Sequence, residues 1–209
     1  MRKYFLILLV LLFTGCGIEN IAQSIPWENG QIPYCFVDNF TVAEQRVIEN
    51  AMHTWMLSGK ITFIRKTYPD TFMLLIYKDS GNWATMGFQE NAELTLKNID
   101  SQTVEHELGH VIGLQHEHQR PDRDKYILIM TQNIDPSNAY NFDKLPRNYW
   151  GYSYSQIPFD YNSIMIYDTN AFSINGKSTI ISTTPISHNS ISNFDLDKVI
   201  LMYSEGPND

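Results

Sequence analysis

Residues 104–124 read VEHELGHVIGLQHEHQRPDRD, and four of the chain's six histidines fall within them. His106 and His110 stand four apart. On a helix that spacing stacks two imidazoles one turn apart on one face, where both can grip a single metal ion. Glu107 directly follows the first of them, so its carboxylate points beside such an ion, where it can hold an attacking water. A catalytic zinc takes three protein ligands and keeps a fourth position open. A straight helix would carry residue 116 past the ion. Gly113 removes that difficulty, because glycine enters the left-handed region without steric penalty and ends a helix. The chain can then turn back and offer His116 as the third ligand. The spacing H-E-x-x-H-x-x-G-x-x-H therefore encodes two ligands, a base between them, a bend and a third ligand. The chemistry is hydrolytic. Zinc lowers the pKa of water from 15.7 to about 7. Glu107 takes a proton as that water attacks a carbonyl, then passes it to the leaving nitrogen. Parity directs His118 away from His116, to a supporting or surface position. His53 and His188 have no partner pattern and read as structural or solvent-facing.

These residues need a helix with one buried face. Asp100 or Ser101 can cap it. Val104, Leu108, Val111 and Ile112 then line an apolar face distinct from the face of the two histidines. Upstream, IPYCFVD (32–38) reads as a strand. A helix follows from Thr41, whose spacing to Glu44 fits a capping box, and Gly59 ends it. KITFIRK (60–66), FMLLIYK (72–78) and NAELTL (91–96) read as further strands, with a turn at Gly81-Asn82-Trp83. Beyond the histidines the chain is rich in Asn, Pro, Tyr and Asp with little periodicity. A last helix is expected over 193–203, capped by Ser192 or Asn193. Helices against one sheet with an irregular second half give an α+β class in one two-lobed unit.

The 209 residues suffice for one domain. The first sixteen, MRKYFLILLVLLFTGC, combine Arg2 and Lys3 with an apolar run from Tyr4 to Phe13. That run is too short to span a bilayer, which needs about 20 residues, and reads as an export signal. Its end, Phe13-Thr14-Gly15-Cys16, resembles the lipobox of bacterial lipoproteins, which implies that Cys16 becomes the lipidated first residue. An ordinary signal peptide with a chance cysteine is the plainer alternative. Residues 17–26 then form a tether and 27–209 the catalytic domain. Without the leader, 13 basic residues face 23 acidic ones, a formal charge of −10. Such a chain has no electrostatic footprint for nucleic acid, and anionic lipid repels it, so any membrane hold must come from the acyl chains. Cys35, in an apolar run, reads as a buried small hydrophobe.

HELGHVIGLQHEHQRPDRD resembles the signature of the astacins, a branch of the metzincin zinc endopeptidases, and Glu117 after the third histidine is the astacin mark. WENGQIPYCF (27–36), GNWATMG (81–87), NIDPSNAYNFDK (133–144) and ISNFDLDKVILMY (191–203) are similar to other blocks of the family. YNSIMIY (161–167) resembles its Met-turn. The resemblance implies a two-lobed metzincin fold, with a twisted mixed sheet above the cleft, an active-site helix and an irregular C-terminal lobe. It implies zinc on His106, His110 and His116, with Glu107 as base. Met165 would lie beneath the histidines, and Tyr167 would aim its phenol at the metal. It also implies that an edge strand near Trp83–Phe88 pairs with extended substrate.

Three departures stand out. Ile166 replaces the Met-turn histidine. The family's two disulfides are missing, with Asn82 in place of one cysteine. Ten residues between Cys16 and Trp27 leave no room for a prosegment. In the family Glu117 meets a freed N-terminus; here a side chain, backbone amides or water are expected to satisfy it. The leading expectation is a monomeric zinc endopeptidase acting on proteins or peptides, lipid-anchored outside the cytoplasm of a bacterium. The alternatives are a peptide-binding zinc lipoprotein without turnover, and a metalloenzyme cleaving another bond.

Overall fold

The computed structural model describes residues 24–146 and 156–204. The leader, Cys16 and residues 17–23 of the expected tether lie outside the described residues. Among the described residues no helix is long and apolar enough to cross a membrane.

The upper lobe is a five-stranded sheet on two helices. Strands β1 (Gln31–Phe36), β2 (Thr62–Arg65), β3 (Met73–Lys78), β4 (Trp83–Ala84) and β5 (Asn91–Leu96) lie in the order β2-β1-β3-β5-β4. The first three pairings are parallel and β4 runs antiparallel to β5 at the edge. Parallel neighbours need crossover connections, and helix α1 (Val42–Met56) supplies the one between β1 and β2. Thr41 and Glu44 form the expected capping box, each side chain accepting from the other's backbone N–H. Helix α2 (Ser101–Ile112) packs beside α1 under the sheet. Ile32, Leu74, Ile76 and Leu94 of the sheet share one core with Ile48 and Trp55 of α1 and Val104, Leu108, Val111 and Ile112 of α2. The predicted apolar face of α2 is thus the buried one.

The lower lobe is mostly turns and short 3-10 segments. Two three-residue strands, β6 (Ile127–Ile129) and β7 (Ile180–Ser182), pair antiparallel and are too short to show a period in the sequence. They enclose a second core with Ile134, Phe142, Phe159 and Ile166. Ile166, at the position of the family's histidine, is therefore a packing residue here. Helix α3 (Asn193–Ser204) closes the lobe, and Ser192 caps it by accepting the Asp195 N–H. The end of the expected tether is docked. The Ser24 hydroxyl donates to the Gly113 carbonyl at 2.9 Å, and the Phe88 N–H donates to the Ile25 carbonyl at 2.7 Å. Cys35 is a free, buried thiol.

Candidate active site

Helix α2 starts at Asp100, whose carboxylate accepts the Thr103 N–H at 2.9 Å. It stops at Gly113, which sits at φ +116°, ψ 8°. A side chain there would be strained whatever the space. A helix end leaves carbonyls without partners, and distant residues take them up. Trp27 Nε1–H donates to Val111 O at 2.8 Å, Tyr203 O–H to Ile112 O at 2.8 Å, and Ser24 to Gly113 O. The bend that delivers His116 is therefore held from both ends of the described chain.

His106, His110 and His116 bring their ligand nitrogens within 4.8 Å of one another. His116 Nε2 lies 3.2 Å from His106 Nε2 and 3.1 Å from His110 Nε2. The opposite ring nitrogens settle which atoms carry hydrogen. His106 Nδ1 faces the Ile164 carbonyl at 2.7 Å and His110 Nδ1 faces the Leu114 carbonyl at 2.9 Å. Carbonyls only accept, so both Nδ1 atoms donate. His116 Nδ1 meets Gln119 Oε1 at 3.2 Å, and the Gln119 amide nitrogen donates to Asn141 O at 3.2 Å, which fixes that amide's orientation. Burial lowers the pKa of all three imidazoles, His110 to about 3, so they are neutral near pH 7. Three lone pairs then face one another with no proton between them, which is the donor set a divalent cation takes. A tetrahedral zinc with Zn–N bonds of about 2.0–2.1 Å sets its nitrogens about 3.3–3.4 Å apart, close to the spacing found. The donor set fits zinc, and Ile164, Leu114 and Gln119 supply the outer hydrogen bonds that orient its ligands.

Met165 packs against the helix that carries the first two ligands. Its side chain is wholly buried against Gly109, between the first two ligands on α2. Its carbonyl accepts the Glu117 N–H at 3.0 Å, beside the third ligand. Glu107 is 9% exposed, and burial raises its carboxyl to about 7. It opens with the triad and Tyr167 into a cleft of about 570 Å³. Asn82, Trp83, Ala84 and Met86, on and beside the edge strand β4, form one wall.

Residues 19–204 match the model of the Astacin peptidase family. This chain belongs to the astacin family. Its fold is the metzincin α+β domain with a mixed sheet, and its three histidines are the family's zinc site. A solved astacin relative, high choriolytic enzyme 1 of the medaka Oryzias latipes, is described as a hatching enzyme zinc-protease. It superposes with a TM-score of 0.76 at 30% identity, covering 91% of this chain and 98% of that one. Human Tolloid-like protein 2 is 36% identical over 151 residues, 70% of this chain and 15% of that protein. Zinc metalloproteinase nas-7 of Caenorhabditis elegans is 33% identical over 195 residues, 90% of this chain and 50% of that protein. This astacin chain thus spans half or less of the length of these curated relatives.

The remaining expected residues fall around the centre. Tyr167 packs its ring against His116 and His118, with centroids 4.5 Å and 4.1 Å away. Burial and the Glu107 charge push its phenol up to about 12. His118 is fully buried, wedged beside Tyr167 and Phe142, and its Nε2–H donates to Asn141 O at 3.0 Å. Glu117 is fully buried and satisfied by side chains and a backbone amide. His53 is exposed, and His188 pairs with Asp168 at 3.1 Å. Sequence reasoning missed Gln119, Gly109 and Lys198. A glycine in mid-helix costs about 1 kcal/mol against alanine and was a readable sign of close approach at 109. Nothing local marked Gln119 or Lys198, because their partners are remote or specific to the folded turn.

Proposed function

We propose that this astacin is a zinc-dependent endopeptidase. One observation carries the reading: three neutral imidazoles converge beside a buried carboxylate in a cleft walled by an open sheet edge. When bound, zinc supplies a Lewis acid and makes water acidic enough to attack near neutral pH. Glu107 accepts the proton of the attacking water and returns it to the leaving nitrogen. Its burial lifts it toward neutrality, and beside a bound divalent cation it would ionise more readily and serve as a base at neutral pH. Tyr167 stays protonated near pH 7 and so donates a hydrogen bond to the carbonyl oxygen under attack. The outer edge of β4 offers backbone groups to an extended protein substrate, as exposed sheet edges do. Export by the leader, with lipid on Cys16 as the anchor, is supported by the basic start, the short apolar run and the Phe-Thr-Gly-Cys ending.

The experiment is to load the protein with zinc and follow casein cleavage by wild type and Glu107→Gln. Cleavage by wild type alone, with equal zinc in both proteins, is expected. Zinc in both and cleavage by neither overturns the endopeptidase reading in favour of a peptide-binding protein.

A further inference from the structure

Glu117 stands immediately after the third ligand and is buried completely. A carboxylate in that position is costly unless each oxygen is paired. Its Oε1 accepts the Asp160 N–H at 2.8 Å and Arg120 Nη1 at 3.1 Å. Its Oε2 accepts Lys198 Nζ at 2.8 Å. Lys198 reaches it from α3, 81 residues away, and is 4% exposed. The same ammonium lies 3.2 Å from Asp195 Oδ1. Asp195 accepts the Ser163 hydroxyl at 2.6 Å and the Ile164 N–H at 2.9 Å. The Ile164 carbonyl in turn accepts His106 Nδ1–H. One buried ammonium therefore ties together the segment after His116, the turn that orients His106, and α3.

We propose that Lys198 is a positioning residue for the metal centre, and that because its ammonium already meets Glu117 the site is complete without a trimmed N-terminus. This rests on the endopeptidase reading. A released α-amine would have to displace Lys198 from Glu117 Oε2. The described N-terminal segment is engaged elsewhere: Ser24 holds Gly113, Ile25 holds Phe88, and the Trp27 ring meets Phe88 edge-on at 5.3 Å. A purely structural need for bulk between α3 and the turn would be met by an apolar side chain of the same length. The ammonium adds directional bonds to two carboxylates, and those bonds set where Glu117 and Ile164 sit.

The test uses the full chain in mild detergent, loaded with zinc. Lys198→Met keeps length and removes charge. Expected are a zinc dissociation constant raised about 10–100-fold and a kcat lowered about tenfold or more with KM nearly unchanged. Adding Glu117→Gln to Lys198→Met leaves the ammonium's bonds missing, so zinc affinity is expected to stay about 10–100-fold below wild type, and recovery to the wild-type value overturns the positioning role. A folded Lys198→Met with wild-type zinc affinity and kcat overturns the proposal, because a spacer role alone would lower only thermal stability. The second measurement needs no variant. Wild type before and after proteolytic removal of the residues ahead of Ser24 is expected to show the same kcat/KM within about twofold. A rise of about tenfold on trimming also overturns it. Wild type that binds zinc and cleaves nothing sinks the endopeptidase reading instead, while the zinc affinities still test Lys198.

Discussion

Gly109→Ala sets helix propensity against packing at the metal centre. Alanine in mid-helix favours the fold by about 1 kcal/mol over glycine. A Cβ at 109, however, would sit 2.4 Å from Met165 Sδ and 3.2 Å from Trp55 Cζ2. Ordinary contact begins near 3.4 Å, so the sulphur has to retreat by about 1 Å. Met165 and Trp55 are both wholly buried, which leaves the methionine little freedom to swing. The strain passes to its backbone, whose carbonyl holds Glu117, and to Ile164, whose carbonyl holds His106. Overpacking costs about 1–3 kcal/mol, so the net is a loss of about 1 kcal/mol and of about 2–4 °C in Tm. Disturbing the outer hydrogen bonds should weaken zinc about 10–100-fold. Thermal unfolding of the metal-free protein and competition with a chelator read the two effects separately. In a Met165→Ala background the obstacle is gone, and Gly109→Ala should become neutral to stabilising. A single variant that melts above wild type and holds zinc equally well would refute the claim that Met165 braces the triad through Gly109.

Glu107 makes a second prediction through its pH dependence. Its folded pKa of about 7 lies above the ordinary 4.5, so its contribution is intact below pH 4.5 and is lost as pH rises through 7. Metal-free Glu107→Gln should therefore match wild type at pH 4 and exceed it by about 3 kcal/mol at pH 8, measured by denaturant titration. Gln119→Ala strips His116 of its Nδ1 partner; zinc affinity should drop about 10–100-fold while metal-free stability stays within about 1 kcal/mol. Tyr167→Phe should lower kcat about 100-fold at unchanged zinc content, and an unaltered kcat would remove the phenol from the mechanism.

The centre was legible because most of its logic is local. The i, i+4 pair His106/His110, the adjacent Glu107 and the bend at Gly113 all act within one turn or two, so spacing alone carries them. The α1 capping box and the apolar face of α2 were readable for the same reason. Strand ends moved by one to two residues, since pairing partners rather than propensity decide where a ladder stops. The lower lobe was not legible. β6 and β7 are three residues each, too short for a period, and meet only through a long loop. Lys198 looked like one more polar position on α3, and only the folded partners Glu117 and Asp195 reveal it as a buried ion.

The reach of α3 into the centre also sets an order of events during translation. Chains emerge at about 5–20 residues per second. Both imidazoles of α2 and the one after Gly113 leave the ribosome well before Asp195 and Lys198 exist. A nascent chain carries its full set of metal ligands while the clamp that aligns them is still unsynthesised. The contacts that fix the metal centre are thus the last part of it to be made.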